Sequence, residues 1–99
     1  MILVVGTFQV DPARLSAARP AMAAMIAASR DEAGCLGYGY AEDVLEPGLI
    51  HVTERWTDRA ALDAHVATAH LAAWRAQWAV LGLHSRDLAI YHVAKIEDF

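Results

Sequence analysis

His65 and His70 are the two side chains of this sequence best suited to move a proton near neutral pH. Imidazole titrates in that range and can abstract a proton from a phenol. The two histidines are five residues apart, so they share one helical face only if the chain breaks at Thr68. The alternative role for them is in capping and in hydrogen bonds at the helix break. A metal site is not predicted, because HExxH and His-x-x-x-His are absent and Cys35 is the only cysteine.

Glu54 is the third candidate for acid–base chemistry. It precedes Trp56 by two positions on a predicted strand, so the carboxyl group and the indole lie on the same face. A carboxylate in this setting is a candidate general base with a raised pKa. It is equally suited to a structural ion pair, either with Arg55 of a second copy of the chain or with Arg75.

Five aromatic side chains have a spacing that suits the walls of a pocket. Tyr38 and Tyr40 lie on one face of a predicted strand, and their hydroxyl groups need hydrogen-bond partners if they are buried. Trp74 and Trp78 are one helical turn apart, on the stripe that should face the sheet. Trp56 ends a strand. We expect each of them to serve as core or as pocket wall, since the same stripe would line a pocket between helices and sheet.

The motifs of the chain predict no bound cofactor. Gly37 and Gly39 lie inside a strand, without the third glycine and the following helix of a dinucleotide-binding turn. A phosphate-binding loop and a nucleophile elbow are also absent from the sequence.

The composition limits the classes of partner. The 99 residues fit one domain spanning 1–99, and 57% of them are hydrophobic. The formal net charge of −4 argues against nucleic acid and against anionic membranes. A single cysteine fits a reducing compartment and the N-terminus resembles a strand rather than a signal peptide, so we expect a cytoplasmic protein. No apolar run approaches the roughly 20 residues that a membrane helix needs.

The first half of the chain predicts a strand followed by a helix. Residues 2–10 are apolar on both strand faces. Asp11 and Pro12 suit the start of a helix, and Pro20 should kink that helix unless its first turn is irregular. Gly34 suits the position just past the helix end. The buried stripe of the helix recurs at spacings of three and four: Leu15, Ala18, Met22, Met25, Ile26 and Ser29.

A hairpin is predicted next. Residues 35–44 alternate strictly, which places Leu36 on the same face as the two tyrosines. Residues 46–48, Glu-Pro-Gly, suit a type II turn, and residues 49–56 form the returning strand.

A second helical region and a last strand complete the predicted elements. Helix begins at residues 57–58, and Thr68 caps a new helix whose stripe contains Leu71, Trp74, Trp78 and Leu81. Gly82 can end this helix, and residues 87–96 form a strand that is again apolar on both faces.

The order β-α-β-β-α-β predicts an α+β fold of the ferredoxin-like type, an antiparallel sheet with its helices on one face. The helices would leave the other sheet face uncovered, although the first and last strands are apolar on both faces. We therefore expect a homodimer in which a second copy of the sheet covers that face.

Two segments resemble the antibiotic biosynthesis monooxygenase family. One runs from Glu54 and Trp56 through Leu62 and His65 to His70, and the other is the junction around residues 32–38, Glu-Ala-Gly-Cys-Leu-Gly-Tyr. The resemblance covers essentially the whole chain and implies a dimeric α+β barrel. It also implies the oxidation of a small aromatic compound, a quinol or an anthrone, by O₂ without flavin, haem or metal.

The resemblance implies roles for the candidate residues. His65 or His70 would be the catalytic base, with Glu54 as the alternative. The substrate pocket would be formed by five residues: Trp56, Tyr38, Trp74, Trp78 and Tyr40.

Two other functions stay open on the sequence. The first is a non-catalytic dimer that binds a small ligand or has a structural role. The second, haem degradation, is disfavoured because relatives with that activity have tryptophan in place of His65 and histidine in place of Arg75.

Overall fold

Four strands form one antiparallel sheet in the computed structural model, which describes residues 1–99. They are β1 (Ile2–Val10), β2 (Cys35–Glu42), β3 (Leu49–Trp56) and β4 (Leu83–His92), in the spatial order β2-β3-β1-β4. β1 lies in the middle, antiparallel to β3 on one side and to β4 on the other. This topology confirms the predicted ferredoxin-like α+β fold.

Three helices connect the strands: α1 (Leu15–Arg30), α2 (Arg59–Val66) and α3 (Ala69–Leu81). A 3₁₀ turn at Pro12–Arg14 precedes α1, so the first turn is irregular as the proline pattern suggested, and Pro20 lies inside the helix. Side-chain oxygens of Asp58 and Thr68 accept from backbone N–H groups at the starts of α2 and α3. The predicted helix break at Thr68 is therefore confirmed.

The core lies between the helices and one face of the sheet. Alternate residues of β1 and β3 are buried on this face, and Ala18, Met22, Met25 and Ser29 form the buried stripe of α1, as expected from their spacing. The largest fully buried side chains are Trp56, Phe8 and Ile50 among the apolar residues. The sheet thus presents its inward-facing side chains to α2 and α3, where the candidate site lies.

The position of β4 corrects the predicted strand at 87–96. Gly82 has φ of 72° and turns the chain directly from α3 into the strand, so Leu83 already pairs with Val10. The strand ends at His92, which pairs with Ile2 at the very start of β1, so no residue of β1 is left to pair with residues 94–96.

A bulge corrects the prediction that β2 alternates strictly. The register shifts between Cys35 and Gly37, so Cys35 lies opposite Trp56 on the core side. Leu36 is the extra residue and is about half exposed, rather than sharing a face with the buried Tyr38. The strand also ends at Glu42, two residues earlier than predicted, while the turn after it has the expected positive φ at Gly48.

The second face of the sheet carries no helix. Its residues include Val5 of β1 and its cross-strand neighbours Thr53 and Ala89, all of them exposed. None of the three helices combines the length and the apolar character that crossing a membrane would require.

Candidate active site

A cavity of about 260 Å³ lies between the sheet and helices α2 and α3. It is bordered by side chains from β1, β2, β3 and β4 as well as from both helices, so every element except α1 contributes to it. Charged residues stand where the cavity meets solvent, and Arg59 and Asp63 form an ion pair of 2.9 Å there. Arg75 and Arg86 border the same opening without an ion pair.

Aromatic rings form most of the inner wall. Tyr40 stacks on Trp74 with 5.9 Å between ring centroids, and Phe8 meets Tyr40 edge-on at 5.3 Å. Trp78 lies 5.8 Å from Phe8. Such contacts fix the rings in place and leave flat apolar surface for a ligand. Tyr40, Trp74 and Trp78 border the cavity, as does Tyr38, and their contact with a substrate stays a prediction.

Tyr38 and Tyr40 hold their hydroxyl groups together inside the cavity, 2.8 Å apart. Burial raises the pKa of both tyrosines above the usual value of 10.0. Both phenols consequently keep their protons at neutral pH. The hydrogen bond between the two hydroxyl groups uses one of their two protons. The other proton is available for a hydrogen bond to a ligand oxygen.

Glu54 is buried on the floor of the same cavity, with 6% of its surface exposed. Burial raises the pKa of this carboxyl, while the nearby His65 and the neighbouring side chains of Tyr38 and Trp56 act in the opposite direction. The carboxyl has no ion pair with any arginine of the chain, so the proposed pairing with Arg75 is not formed. Arg55 follows Glu54 in β3 and faces the opposite side of the sheet.

His65 borders the cavity from α2 and is 3% exposed. Its Nδ1 lies 2.6 Å from Oε2 of Glu32. The same carboxylate oxygen lies 2.9 Å from Nε2 of His70, at the start of α3. The helix break thus brings both histidines to one carboxylate. In a continuous helix, two residues separated by five positions could not both reach it.

Thr68 positions this group through the backbone. Its Oγ1 donates to the carbonyl oxygen of His65 at 2.7 Å and accepts from the N–H of Leu71 at 3.3 Å. Glu32 reaches the histidines from the turn after α1, where its N–H donates to the carbonyl oxygen of Ser29. Sequence reasoning missed the contact of Glu32 with the two histidines. The only signal was its place in the Glu-Ala-Gly-Cys junction.

Two of the candidates do not border the cavity. Trp56 is fully buried and packs against the ring of His65, with 4.7 Å between the two ring centroids. It contacts the histidine without lining the cavity. His70 borders a groove between α1 and α3 instead. Phe8 does border the cavity and was not singled out from the sequence, although the alternation of β1 places it on the inward face.

The arrangement combines an apolar cavity with groups that can accept and donate protons. His65 and Glu54 are the groups able to accept a proton from a bound molecule, and Tyr38 and Tyr40 are able to donate hydrogen bonds. Glu32, His65 and His70 each offer one possible metal-ligand atom. These three atoms lie within 4.8 Å of one another, which is close enough to share one metal ion.

Comparison with known proteins identifies the family. The family model described as antibiotic biosynthesis monooxygenase matches residues 1–77. The chain belongs to the antibiotic biosynthesis monooxygenase family. The bulk of the site, from β1 to Trp74, falls within the matched residues.

Solved and curated relatives agree with this membership. Rv0793 of Mycobacterium tuberculosis, whose assignment as a monooxygenase is provisional, is 33% identical over 97 residues, covering 98% of this chain and 93% of that protein. Its structure has a TM-score of 0.78. A family structure from Deinococcus radiodurans has a TM-score of 0.93 and covers 100% of this chain and 98% of its own, at 23% identity, and so supports the fold alone.

Proposed function

We propose that this protein is a monooxygenase that uses O₂ to oxidise a small electron-rich aromatic compound, a quinol or an anthrone, without a bound cofactor. The observation that carries the proposal is the aromatic cavity with His65 and Glu54 on its wall and no salt bridge between Glu54 and an arginine. Its volume of about 260 Å³ lies just below the usual range for drug-sized ligands, which suits a compound of a few fused rings. Family membership supports the reaction type.

The substrate can supply the electrons for this reaction itself. In an anthrone, the reacting carbon carries two hydrogens, and removal of one as a proton gives an anion that can pass an electron to O₂. The substrate radical and superoxide then combine in a C–O bond. Cleavage of the O–O bond leaves one oxygen on the carbon as a carbonyl and releases the other as water, together with both hydrogens. Anthrone and O₂ thus become anthraquinone and water.

His65 is the base in this proposal. Glu32 accepts a hydrogen bond from Nδ1 of His65, which leaves Nε2 to take the proton from the substrate. The carboxylate then stabilises the imidazolium, and His65 returns the proton to the departing oxygen. His70 shares the same carboxylate from outside the cavity and acts through it as a positioning residue. Glu54 is the alternative base.

The cavity walls provide the remaining requirements. The Tyr38–Tyr40 pair can donate a hydrogen bond to the oxygen on which negative charge develops. Phe8, Trp74 and Trp78 exclude water, so this donor acts in surroundings of low dielectric constant.

The quaternary structure and the location are part of the same proposal. We propose that a second copy covers the open sheet face, since the chain buries its apolar residues on one face only. The cytoplasmic location expected from the single cysteine stays a prediction.

The test is O₂ uptake with a panel of hydroquinones, naphthohydroquinones and anthrones, corrected for autoxidation and run on chelator-treated protein. Saturable uptake is expected for at least one substrate. Because general-base catalysis contributes roughly 10²–10⁴-fold, His65→Ala should lower kcat by at least 100-fold. His84→Ala is the matched control, since His84 is exposed on β4 and its Nδ1 contacts only Ser85.

Three outcomes would count against the proposal in different ways. Uptake no faster than autoxidation across the panel would favour a non-catalytic dimer that binds a small ligand. Loss of uptake on chelation would exclude the cofactor-free reaction. Full activity in His65→Ala with loss in Glu54→Gln would transfer the role of base to Glu54.

A further inference from the structure

We infer that Glu32, His65 and His70 form a binding site for one divalent transition-metal ion. The ligand atoms are Oε2 of Glu32, Nδ1 of His65 and Nε2 of His70, which lie within 4.8 Å of one another. No other group of three histidine, cysteine or acidic side chains in the protein brings its ligand atoms together in this way. The site goes beyond the proposed oxidation, because it concerns the outer side of His65 rather than the cavity.

The spacing of the three atoms suits ligands of a single ion. Metal–nitrogen and metal–oxygen bonds of about 2.0–2.2 Å place neighbouring ligands of a four- to six-coordinate ion about 2.8–3.6 Å apart. The carboxylate oxygen lies 2.6 Å from one imidazole nitrogen and 2.9 Å from the other. To admit an ion, the carboxylate oxygen must withdraw from both nitrogens by a few tenths of an ångström, and the two nitrogens, which lie within 4.8 Å of each other, must take up a similar spacing.

The ligand types select the class of metal. Two imidazoles and one carboxylate are the set that binds Zn²⁺ in some hydrolases and Fe²⁺ in non-haem oxygenases, with further positions left open. The two imidazoles are neutral and the carboxylate carries one negative charge. This charge compensates one of the two positive charges of the ion. Mg²⁺ and Ca²⁺ are disfavoured because they prefer a shell made of oxygen atoms.

Three different elements hold the ligands, so the site does not depend on one flexible segment. Glu32 lies in the turn after α1, His65 on α2 and His70 on α3. Thr68 fixes the angle between the two histidines by its hydrogen bonds to both helices. Ligands whose backbones are already ordered lose little entropy when the metal binds.

Access to the site is from the side of His70. The side chain of His65 is 3% exposed and that of Glu32 13%, whereas that of His70 is 29% exposed. His70 borders a groove of about 610 Å³ between α1 and α3, whose other residues include Ala24 and Ala28. These small side chains leave room for water molecules that would complete the coordination shell.

A bound metal would replace the protons that Glu32 shares with the two imidazoles. Coordination through Nδ1 leaves the proton of His65 on Nε2, so this nitrogen becomes a donor and can no longer act as a base. The ion would therefore inhibit the proposed oxidation, and removing it with a chelator would restore the rate.

The test is titration of chelator-stripped protein with Zn²⁺ by calorimetry and with Co²⁺ by visible absorption, in the absence of substrate. We expect one ion per chain and a Co²⁺ spectrum of a nitrogen and oxygen ligand set. Glu32→Gln and His70→Ala should each weaken Zn²⁺ binding by at least 10-fold. Asp43→Asn is the matched control, because Asp43 forms the exposed pair with His51 at 2.8 Å, and it should leave the affinity unchanged.

The absence of binding to the wild-type protein would overturn the inference, as would equal affinity in His70→Ala. Loss of binding in Asp43→Asn would transfer the ion to the exposed pair and overturn it too. His70 is partly exposed, so its variant keeps the test decisive if Glu32→Gln does not fold. Since binding is measured without substrate, its failure is distinct from a failure of the proposed oxidation.

Discussion

Glu54 places a carboxyl group where ionisation is costly. The side chain is buried among aromatic rings without a salt bridge, and burial raises its pKa above 4.5 although the charges of His65 and Arg86 act in the opposite direction. In the unfolded chain the same group ionises at its ordinary pKa. The native state therefore loses stability relative to the unfolded state as the pH rises from 4.5 through the raised pKa. A group that lowers stability at neutral pH is a candidate for a functional role.

The substitution Glu54→Gln should therefore stabilise the protein at neutral pH. Glutamine keeps the shape and cannot ionise, so the free energy of unfolding should rise by on the order of 1 kcal/mol. The gain should vanish below pH 4.5, where the wild-type carboxyl is protonated in both states. Denaturant unfolding across a pH series measures this. Glu46→Gln, at an exposed turn position, should show no such dependence. A gain that grows towards acid pH would show that the carboxyl is stabilised as the anion.

Single residues also show where sequence reasoning about the site stops. His65, Tyr38, Tyr40, Trp74 and Trp78 could be chosen because their spacing places them on inward faces of regular elements. Glu32 could not, since it lies in a turn and reaches the histidines across a separation of 33 residues to His65. Periodicity describes which face of an element is buried, but it does not describe how two elements pack against each other.

At the scale of elements, the break between α2 and α3 determines the site. Had one helix continued through Thr68, His65 and His70 would have pointed in different directions. Five residues correspond to about 500° of helical rotation, which is one full turn plus about 140°. The threonine both ends the first helix and starts the second.

Thr68→Ala should therefore destabilise the protein by about 1 kcal/mol, the usual cost of losing a helix N-cap. Thr68→Ser should keep most of that stability, because the serine hydroxyl can make the same hydrogen bonds. Chemical denaturation of the three proteins at one pH provides the comparison. If serine and alanine destabilise equally, the methyl group of Thr68 and not its hydroxyl would be the stabilising feature.

The strand boundaries show the corresponding limit for elements. Capping residues and turn residues predicted the starts of α2 and α3 and the turn at Gly48, because these signals act over a few residues. The end of β4 depends on where its neighbour β1 begins, because β4 has no residue of β1 to pair with beyond Ile2. Ile2 is more than 80 residues away from His92 in the chain. The bulge at Leu36 likewise reflects the register between two strands, which alternation within one strand does not reveal.

The molecule as a whole is a two-layer structure with one side uncovered. Its extents are 40 × 32 × 19 Å, and the short dimension fits one sheet and one helix layer. Its accessible surface is 6078 Å², whereas a monomer of this mass usually exposes about 5,500 Å². The excess fits an open sheet face, on which Leu3, Val5, Ala89 and Tyr91 form an apolar strip across β1 and β4.

The apolar strip on β1 and β4 is where the proposed second copy should pack, which makes Val5 a test of the assembly. Val5→Arg introduces a charge at the middle of that strip and should convert a dimer, of twice the 10.8 kDa chain mass, into a monomer. Sedimentation equilibrium measures the change, and Val80→Arg, at an exposed valine on α3 away from the sheet, should leave the dimer intact. Because dimer stability depends on protein concentration, the Tm of the wild type should rise with concentration and that of Val5→Arg should not. A wild-type protein that sediments as a monomer at all concentrations would show that the open face is stable in water, and the apolar residues on it would then need another partner.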